Sequence, residues 1–407
     1  MPASSFNALG AGRFREQPGL FFEDFAVGQR YAHRPGVTLS QQDNADETLD
    51  SYNGAMIHFD ARYAGQSSWA RPLMVSTLTV QRLVGMASKT LGCRRDILGF
   101  GEIALSAPVF GGDTIYAESE VLALRAGSDV ATGVVTLRLY GLKDRHADGS
   151  VLPAPARFAS LTLDVEVYTA EGFRAVFPGD LGVPAGEPRF ASYREDDGVL
   201  TEQFGLFFED ARPGETFVHA PRRTFYREDL VRIARRAFDF SPQFHDAPWV
   251  AAHQGGRLRV PETLLLGAVT ALTTRTFGRV SANLGWTDLK LGPVFEGDTV
   301  EAESTVVDAR ASKSRPNEGV LTVDTRASTL EGREVCSYRR NLLVYTGGRG
   351  EPSRVAPPAG LRRPVDRRTA PFARRRRCDD VHWRRAARGD TDIVPRPVVR
   401  AGRARPA

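Results

Sequence analysis

Gly19-Leu20-Phe21-Phe22-Glu23-Asp24 returns 186 residues later as Gly205-Leu206-Phe207-Phe208-Glu209-Asp210, and that return decides how the whole chain is read. Downstream, Pro108-Val109-Phe110-Gly111-Gly112-Asp113-Thr114 comes back as Pro293-Val294-Phe295-Glu296-Gly297-Asp298-Thr299, offset by 185. Ala117-Glu118-Ser119 recurs as Ala302-Glu303-Ser304, and His58 and His245 lie 187 apart. Matches this long, kept in one order, mark a tandem duplication with small insertions between the copies.

Each copy reads alike. A first strand (residues 29–38; 215–224) leads to a short polar helix (41–51; 227–238), a histidine-bearing loop, and an apolar helix (72–91; 261–276). In the first copy Leu73, Leu78, Val80, Leu83, Val84 and Ala87 recur at near-helical spacing with few charges, which predicts a largely buried helix. Pro72 and Pro261 suit a first helical turn. Strand-like runs follow at 98–105, 114–124, 134–142 and 156–168, the last alternating Phe158, Leu161, Leu163, Val165 and Val167. The second copy closes with 284–291, 299–308, 319–328 and 334–345, and Gly112-Asp113 and Gly297-Asp298 predict hairpin turns. One buried helix with several antiparallel strands is an α+β pattern.

Outside the copies the pattern fades. Residues 1–18 have no periodicity and are expected as a loose lead-in to a first domain at 19–177; residues 178–204 are expected as a linker to a second at 205–346. Residues 347–407 are rich in Pro and Arg and predict a disordered tail. From Gly348 onward 17 arginines face six acidic residues, a balance of +11, so the remainder carries about −6 of the chain's net +5. Only four lysines occur, so arginine is the default base here and its abundance does not predict a nucleic-acid partner. No run of about 18 apolar residues exists to span a bilayer. The opening residues lack a signal-like apolar stretch, so a cytoplasmic protein is expected. Cys93, Cys336 and Cys378 are odd in number and far apart, and predict neither a disulfide framework nor a zinc site.

The chemistry concentrates in Asn53-Gly54-Ala55-Met56-Ile57-His58-Phe59-Asp60. This stretch resembles the D-x-N-P-x-H-x-D signature of MaoC-like (R)-specific enoyl-CoA hydratases, with Asn53 where that family has aspartate and Ala55-Met56 in place of Asn-Pro. Phe21-Phe22-Glu23-Asp24-Phe25-Ala26-Val27-Gly28, His58-Phe59-Asp60-Ala61-Arg62-Tyr63-Ala64 and Arg71-Pro72-Leu73 resemble the tandem forms of the family, over roughly residues 19–346. The resemblance implies a double hotdog, two antiparallel sheets each wrapped around a central helix. It also implies an acyl-CoA or acyl-carrier thioester as substrate, reversible water addition to its α,β-double bond, and no metal or redox cofactor. A homodimer of such chains is the expected assembly.

Adding water β to a thioester needs a base for the water, a proton donor for the α-carbon and a group that polarises the carbonyl. Neutral imidazole suits the first task, and His58 is the candidate base. Asn53 can hold water through its amide but cannot exchange a proton at neutral pH. The donor in this copy is then the imidazolium itself or a carboxylate such as Asp60. Val75, Ser76 and Thr77 open the apolar helix, where free amides and the helix dipole favour a developing oxyanion. The second copy offers Asp239 and His245, an acid and a histidine six apart where the family has five. His33 and His219 also repeat but fall on strands, where a structural role is expected. Residues alone do not choose between the copies. They also leave open two rival functions: a non-catalytic acyl-CoA-binding protein with decayed dyads, and an acyl-CoA thioesterase.

Overall fold

A computed structural model describes residues 3–177, 179 and 181–347. The tail expected over 347–407 lies outside them except for Gly347. In chain order the first half carries β1 (Phe6–Gly10), β2 (Arg13–Glu16), β3 (Arg30–Thr38), α1 (Gln41–Asp50), α2 (Ala61–Gly65), α3 (Ser76–Met86), β4 (Arg94–Leu105), β5 (Thr114–Ala126), β6 (Thr132–Arg145), β7 (Val151–Tyr168) and α4 (Ala170–Val176). The second half carries β8 (Val183–Pro184), β9 (Tyr193–Asp196), β10 (Val199–Glu202), β11 (Thr216–Val218), β12 (Arg223–Thr224), α5 (Arg227–Arg236), α6 (Pro242–His245), α7 (Ala247–Gln254), α8 (Glu262–Leu272), α9 (Thr274–Phe277), β13 (Val280–Leu291), β14 (Thr299–Ala311), β15 (Glu318–Thr329) and β16 (Glu334–Tyr345).

Two sheets hold these strands, ordered β4-β7-β6-β5-β3-β10-β9 and β13-β16-β15-β14-β11-β2-β1-β8, with β12 also on β14. Against the first lies α3, which buries Leu78, Thr79 and Leu83 and packs on β3, β5 and β6. Against the second lies α8, which buries Leu265 and Val269 and packs on β13, β14 and β16. The duplicated α+β double-hotdog architecture is thus present: two helix-on-sheet units of the same order. Alternate residues of β7, from Leu161 through Leu163 and Val165 to Val167, point into the first core, as their period-2 apolar pattern requires.

The two helices start later than the prolines suggest. Leu73 bridges to Phe110 and the Met74 amide donates to Val109 at 2.9 Å, which holds Pro72–Met74 extended until α3 begins at Ser76. In the second copy Pro261 is the residue before the first turn of α8. Only one face of α3 is buried; Ser76, Thr77, Gln81 and Gly85 are exposed, so the expected largely buried helix is half open. The Gly112-Asp113 and Gly297-Asp298 turns do not close hairpins. They lead into β5 and β14 from edge strands β4 and β13, which pair elsewhere in the sheets.

The larger departure concerns the lead-in and the linker, both of which are sheet. β1 and β2 form a hairpin whose second strand runs parallel to β11, placing Phe14 opposite Phe217. β9 and β10 form its counterpart, with Leu200 opposite Tyr31 on β3. Each hairpin therefore completes the sheet of the other copy. Ser5 and Ser192 meet at 3.1 Å where the hairpins approach each other. Phe6, Phe14, Phe190 and Phe217 cluster there with ring centroids 4.8–6.3 Å apart. Such ring pairs contribute about 0.5–1.5 kcal/mol each beyond their burial.

Each exchanged hairpin ends in a buried carboxylate. Glu202 Oε1 lies 2.9 Å from His33 Nδ1 and accepts from the Thr90 hydroxyl at 2.7 Å; its Oε2 accepts the Arg34 amide at 2.9 Å. Glu16 repeats this with His219 Nδ1 at 2.9 Å, Thr276 at 2.5 Å and the Ala220 amide at 2.8 Å. Ser119 and Ser304 close the far side of each imidazole, at 2.9 and 2.8 Å. Burial pushes the Glu202 carboxyl up, but His33 and the donors around it outweigh that and hold it below the usual range. His33, on β3, and His219, one residue past β11, are therefore structural. Removing one partner from such a buried pair costs about 3–5 kcal/mol. Glu16→Ala should lower unfolding stability by about that amount in urea titration. A loss below about 1 kcal/mol, the scale of an exposed pair, would mean the hairpin is not anchored this way.

Candidate active site

The histidine loop is built from the end of α1. Ser40 caps this helix by accepting the Asp43 amide at 3.1 Å, while Asp43 accepts the Ser40 amide at 2.8 Å, a reciprocal capping box. After Ser51 the chain turns through Tyr52 in a left-handed conformation (φ 55°) and enters a short 3-10 turn, Met56–His58. His58 Nδ1 lies 2.7 Å from the Leu73 carbonyl. A carbonyl can only accept, so Nδ1 carries the proton and Nε2 keeps its lone pair.

The residue that organises this loop is Asn44, fully buried on α1. Its Nδ2 donates to the carbonyls of His58 (2.7 Å) and Leu73 (3.0 Å), and its Oδ1 accepts the Val75 amide at 2.8 Å. Gln41 Nε2 adds a second bond to the His58 carbonyl at 2.6 Å. One side chain thus ties α1 to the histidine and to the start of α3. The signal was present in the sequence: Gln41, Asn44 and Thr48 follow helical spacing, and on a packed helix that face would ordinarily be apolar.

The remaining first-copy candidates take other roles. Asn53 Oδ1 accepts the Ala55 amide at 3.0 Å and shapes the turn. Asp60 Oδ1 accepts the amides of Arg62 and Tyr63, both at 3.0 Å, as the cap of α2. Neither side chain hydrogen-bonds His58 among the described residues. Val75 is buried with its amide spent on Asn44, which removes it as an oxyanion donor. Ser76 and Thr77 occupy the exposed first turn of α3, where no side chain caps the helix and first-turn amides have no intrahelical partner. A cavity of about 270 Å³ opens there, walled by Trp69, Leu73, Met74, Ser76, Leu105 and Phe158. His58's anchoring carbonyl, a helix start and this cavity meet at Leu73–Ser76.

The second copy keeps the residues and changes the wiring. The Asp239 carboxylate accepts both the Ser241 hydroxyl (2.6 Å) and amide (3.1 Å), and these bonds hold it below the usual carboxylate range. His245 is bound through Nε2, which donates to the Asp239 main-chain carbonyl at 2.8 Å. The pair is brought together, but by backbone rather than by carboxylate. At the position of Asn44 stands Leu230, buried to the same degree, and at that of Val75 stands Pro261. Proline has no amide proton, so the acceptor that Asn44 supplies in the first copy has nothing to receive in the second.

Comparison with known proteins places these features. The family model for mesaconyl-CoA hydratase matches residues 190–353. The mesaconyl-CoA hydratase of Cereibacter sphaeroides is 34% identical over 326 residues, covering 74% of this chain and 87% of that protein. The β-methylmalyl-CoA dehydratase of Chloroflexus aurantiacus is 28% identical over 321 residues, covering 77% and 89%. Among solved structures, a Mycobacterium tuberculosis protein described as a double hotdog aligns at 20% identity with a TM-score of 0.31, covering 81% of this chain and 99% of its own. Among the described residues, no group of three or more His, Cys, Asp or Glu side chains could hold a metal, and no helix is long and apolar enough to cross a membrane.

The linked exchange of Asn44 and Val75 for Leu230 and Pro261 can be tested by transplanting it. Asn44→Leu should cost about 1–3 kcal/mol for each buried group left unpaired. Adding Val75→Pro should restore part of this, since Val75 already has φ −63° and ψ 131°, close to Pro261 at −53° and 132°. Losses that simply add in the double variant would contradict the linkage.

Proposed function

The chain belongs to the mesaconyl-CoA hydratase family, and from that premise we propose that it is a hydro-lyase working through the histidine of its first copy. The reaction is reversible addition of water across the α,β-double bond of an acyl-CoA thioester, with short branched substrates such as mesaconyl-CoA as the first to test. The observation that carries the choice of copy is the His58 Nδ1–H bond to Leu73, made at a residue that itself walls the cavity beside α3.

In the hydration direction Nε2 of His58 takes a proton from water as the water oxygen bonds to the β-carbon. The electron pair of the double bond moves to the α-carbon and thioester oxygen. The amides of Ser76 and Thr77, at the positive end of α3, support the negative charge that develops there. The imidazolium then returns its proton to the α-carbon, so one residue serves as base and acid in turn. This assignment follows from the capping duties of Asn53 and Asp60, which engage the only other polar side chains proposed for this step in the first copy. Those same duties, with the Asp239 carboxylate held by Ser241, favour the second reading, an acyl-CoA-binding protein without turnover.

Hydration of mesaconyl- and crotonyl-CoA, followed by loss of enoyl-thioester absorbance, separates these readings. His58→Ala should lower kcat by about 10²–10⁴, the contribution of a positioned acid–base group. His245→Ala should leave the rate within the same order of magnitude. The reverse pattern would move the working site to the second copy. Tight binding with no turnover by the unmodified protein would support the binding protein, and release of free CoA a thioesterase.

A further inference from the structure

A second cavity, of about 420 Å³, opens beside the later turns of α3 and is walled by Arg34, Arg82, Lys89 and Arg275. Their charges are poorly neutralised. Arg34 Nη1 donates to the His33 carbonyl at 2.8 Å, Lys89 donates to the carbonyl of Gln203, and Arg275 donates to the carbonyls of Gln17 and Pro18 at 3.4 and 3.3 Å. Among the described residues only Arg82 comes within ion-pair range of a carboxylate, Asp43 at 3.7 Å. Glu16, the acid in the cavity wall, is already engaged by His219, Thr276 and the Ala220 amide. Glu202, which also acts on Lys89, is engaged in the same way by His33. Glu118 acts on Arg34, but burial pushes its carboxyl up to about 7, so it is only partly ionised at neutral pH.

The duplication supplies an internal reference. Lys89 and Arg275 are counterparts, 186 residues apart, and each reaches the carbonyl of a counterpart glutamine, Gln203 or Gln17. Arg34 and Arg82 instead correspond to Ala220 and Ala268. The structural part of the arrangement is therefore common to both copies, and the additional two guanidiniums belong to this face alone. Arg34 is held by a carbonyl and Arg82 only loosely faces a carboxylate at 3.7 Å, which leaves their planar N–H forks available to a multiply charged oxyanion.

We propose that this cavity binds the phosphate groups of an organophosphate ligand. Two sources share that chemistry: the nucleotide end of the CoA thioester, and a free phosphorylated small molecule. The first rests on the proposed hydratase reading and has a path. Thr77, Gln81, Gly85 and Ser88 are exposed at spacings of four, four and three, a stripe that joins the cavity at Ser76 to this one. Ser76 and Arg82 are about 9 Å apart along the helix axis, at ~1.5 Å per residue.

The test uses the full chain and an Arg34→Ala/Arg82→Ala variant, which installs the residues that the second copy carries, checked for retained circular dichroism. Calorimetry with ADP should show binding that weakens at least tenfold in the variant. Kinetics with crotonyl-CoA and with crotonyl-N-acetylcysteamine, which lacks phosphate, assign the source. A KM raised for the CoA ester alone identifies the CoA end; an unchanged KM with lost ADP binding identifies a free ligand. If the double variant misfolds, Arg82→Glu takes its place, since Arg82 is solvent-facing. No ADP binding by the unmodified protein together with unaltered KM values, or ADP binding equal in both, would overturn the proposal. Absence of any enoyl-thioester turnover would sink the hydratase reading and leave the ADP result to decide this one.

Discussion

A carboxylate on an exchanged hairpin, buried against a histidine of the opposite copy, is the contact on which the rest of this structure depends. Glu202 reaches His33 on β3 and the Thr90 hydroxyl just beyond α3; Glu16 reaches His219 and Thr276 in the same way. A carboxylate removed from water is tolerated only with its oxygens satisfied. Here each finds an imidazole, a hydroxyl and a backbone amide. The imidazole and the amide belong to adjacent residues of one segment and the hydroxyl to a helix end, so satisfying the charge fixes a hairpin, that segment and the helix end together. The far end of α3 is thereby placed by Thr90, and its near end by Asn44 through the Val75 amide.

With α3 held at both ends, the two copies are free to differ where chemistry is concerned. The first copy spends a buried asparagine on joining the histidine loop to the helix start. The second replaces that asparagine with Leu230 and removes the amide it would have served by using Pro261. A buried polar group lost together with its partner is nearly neutral in stability, whereas either change alone leaves an unsatisfied group. That is how one copy can keep a wired imidazole and the other lose it without unfolding.

The duplication and most long strands were legible in the sequence because their signals are local. Apolar alternation in β7 and the repeated Gly-Leu-Phe-Phe-Glu-Asp motif need no knowledge of distant partners. The hairpins β1–β2 and β9–β10 escaped because each strand has only four or five residues, and β2 and β10 pair with segments 203 and 169 residues away. Pattern reading therefore saw a lead-in and a linker. Among candidate site residues, His58 stands out by its loop, while Asn53, Asp60 and Val75 are candidates only by position relative to it. Position along the chain does not show where a lone pair or amide is already spent: Asn53 and Asp60 are spent on backbone amides, and Val75 on the Asn44 side chain. Asn44 was overlooked for the converse reason: its two backbone contacts beyond α1, at His58 and at Leu73–Val75, are separated in sequence from it by 14 to 31 residues.

The two histidines carry their protons on different nitrogens, with Nε2 bare in the first copy and protonated in the second. Nitrogen-15 NMR of the neutral imidazole rings at alkaline pH, assigned with His58→Ala and His245→Ala, measures this directly. The structure requires a protonated Nδ1 and an unprotonated Nε2 at His58, and the opposite at His245. A neutral His58 with its proton on Nε2 would have no Nδ1–H to give Leu73 and no bare Nε2 to act as base, the opposite of what the structure requires.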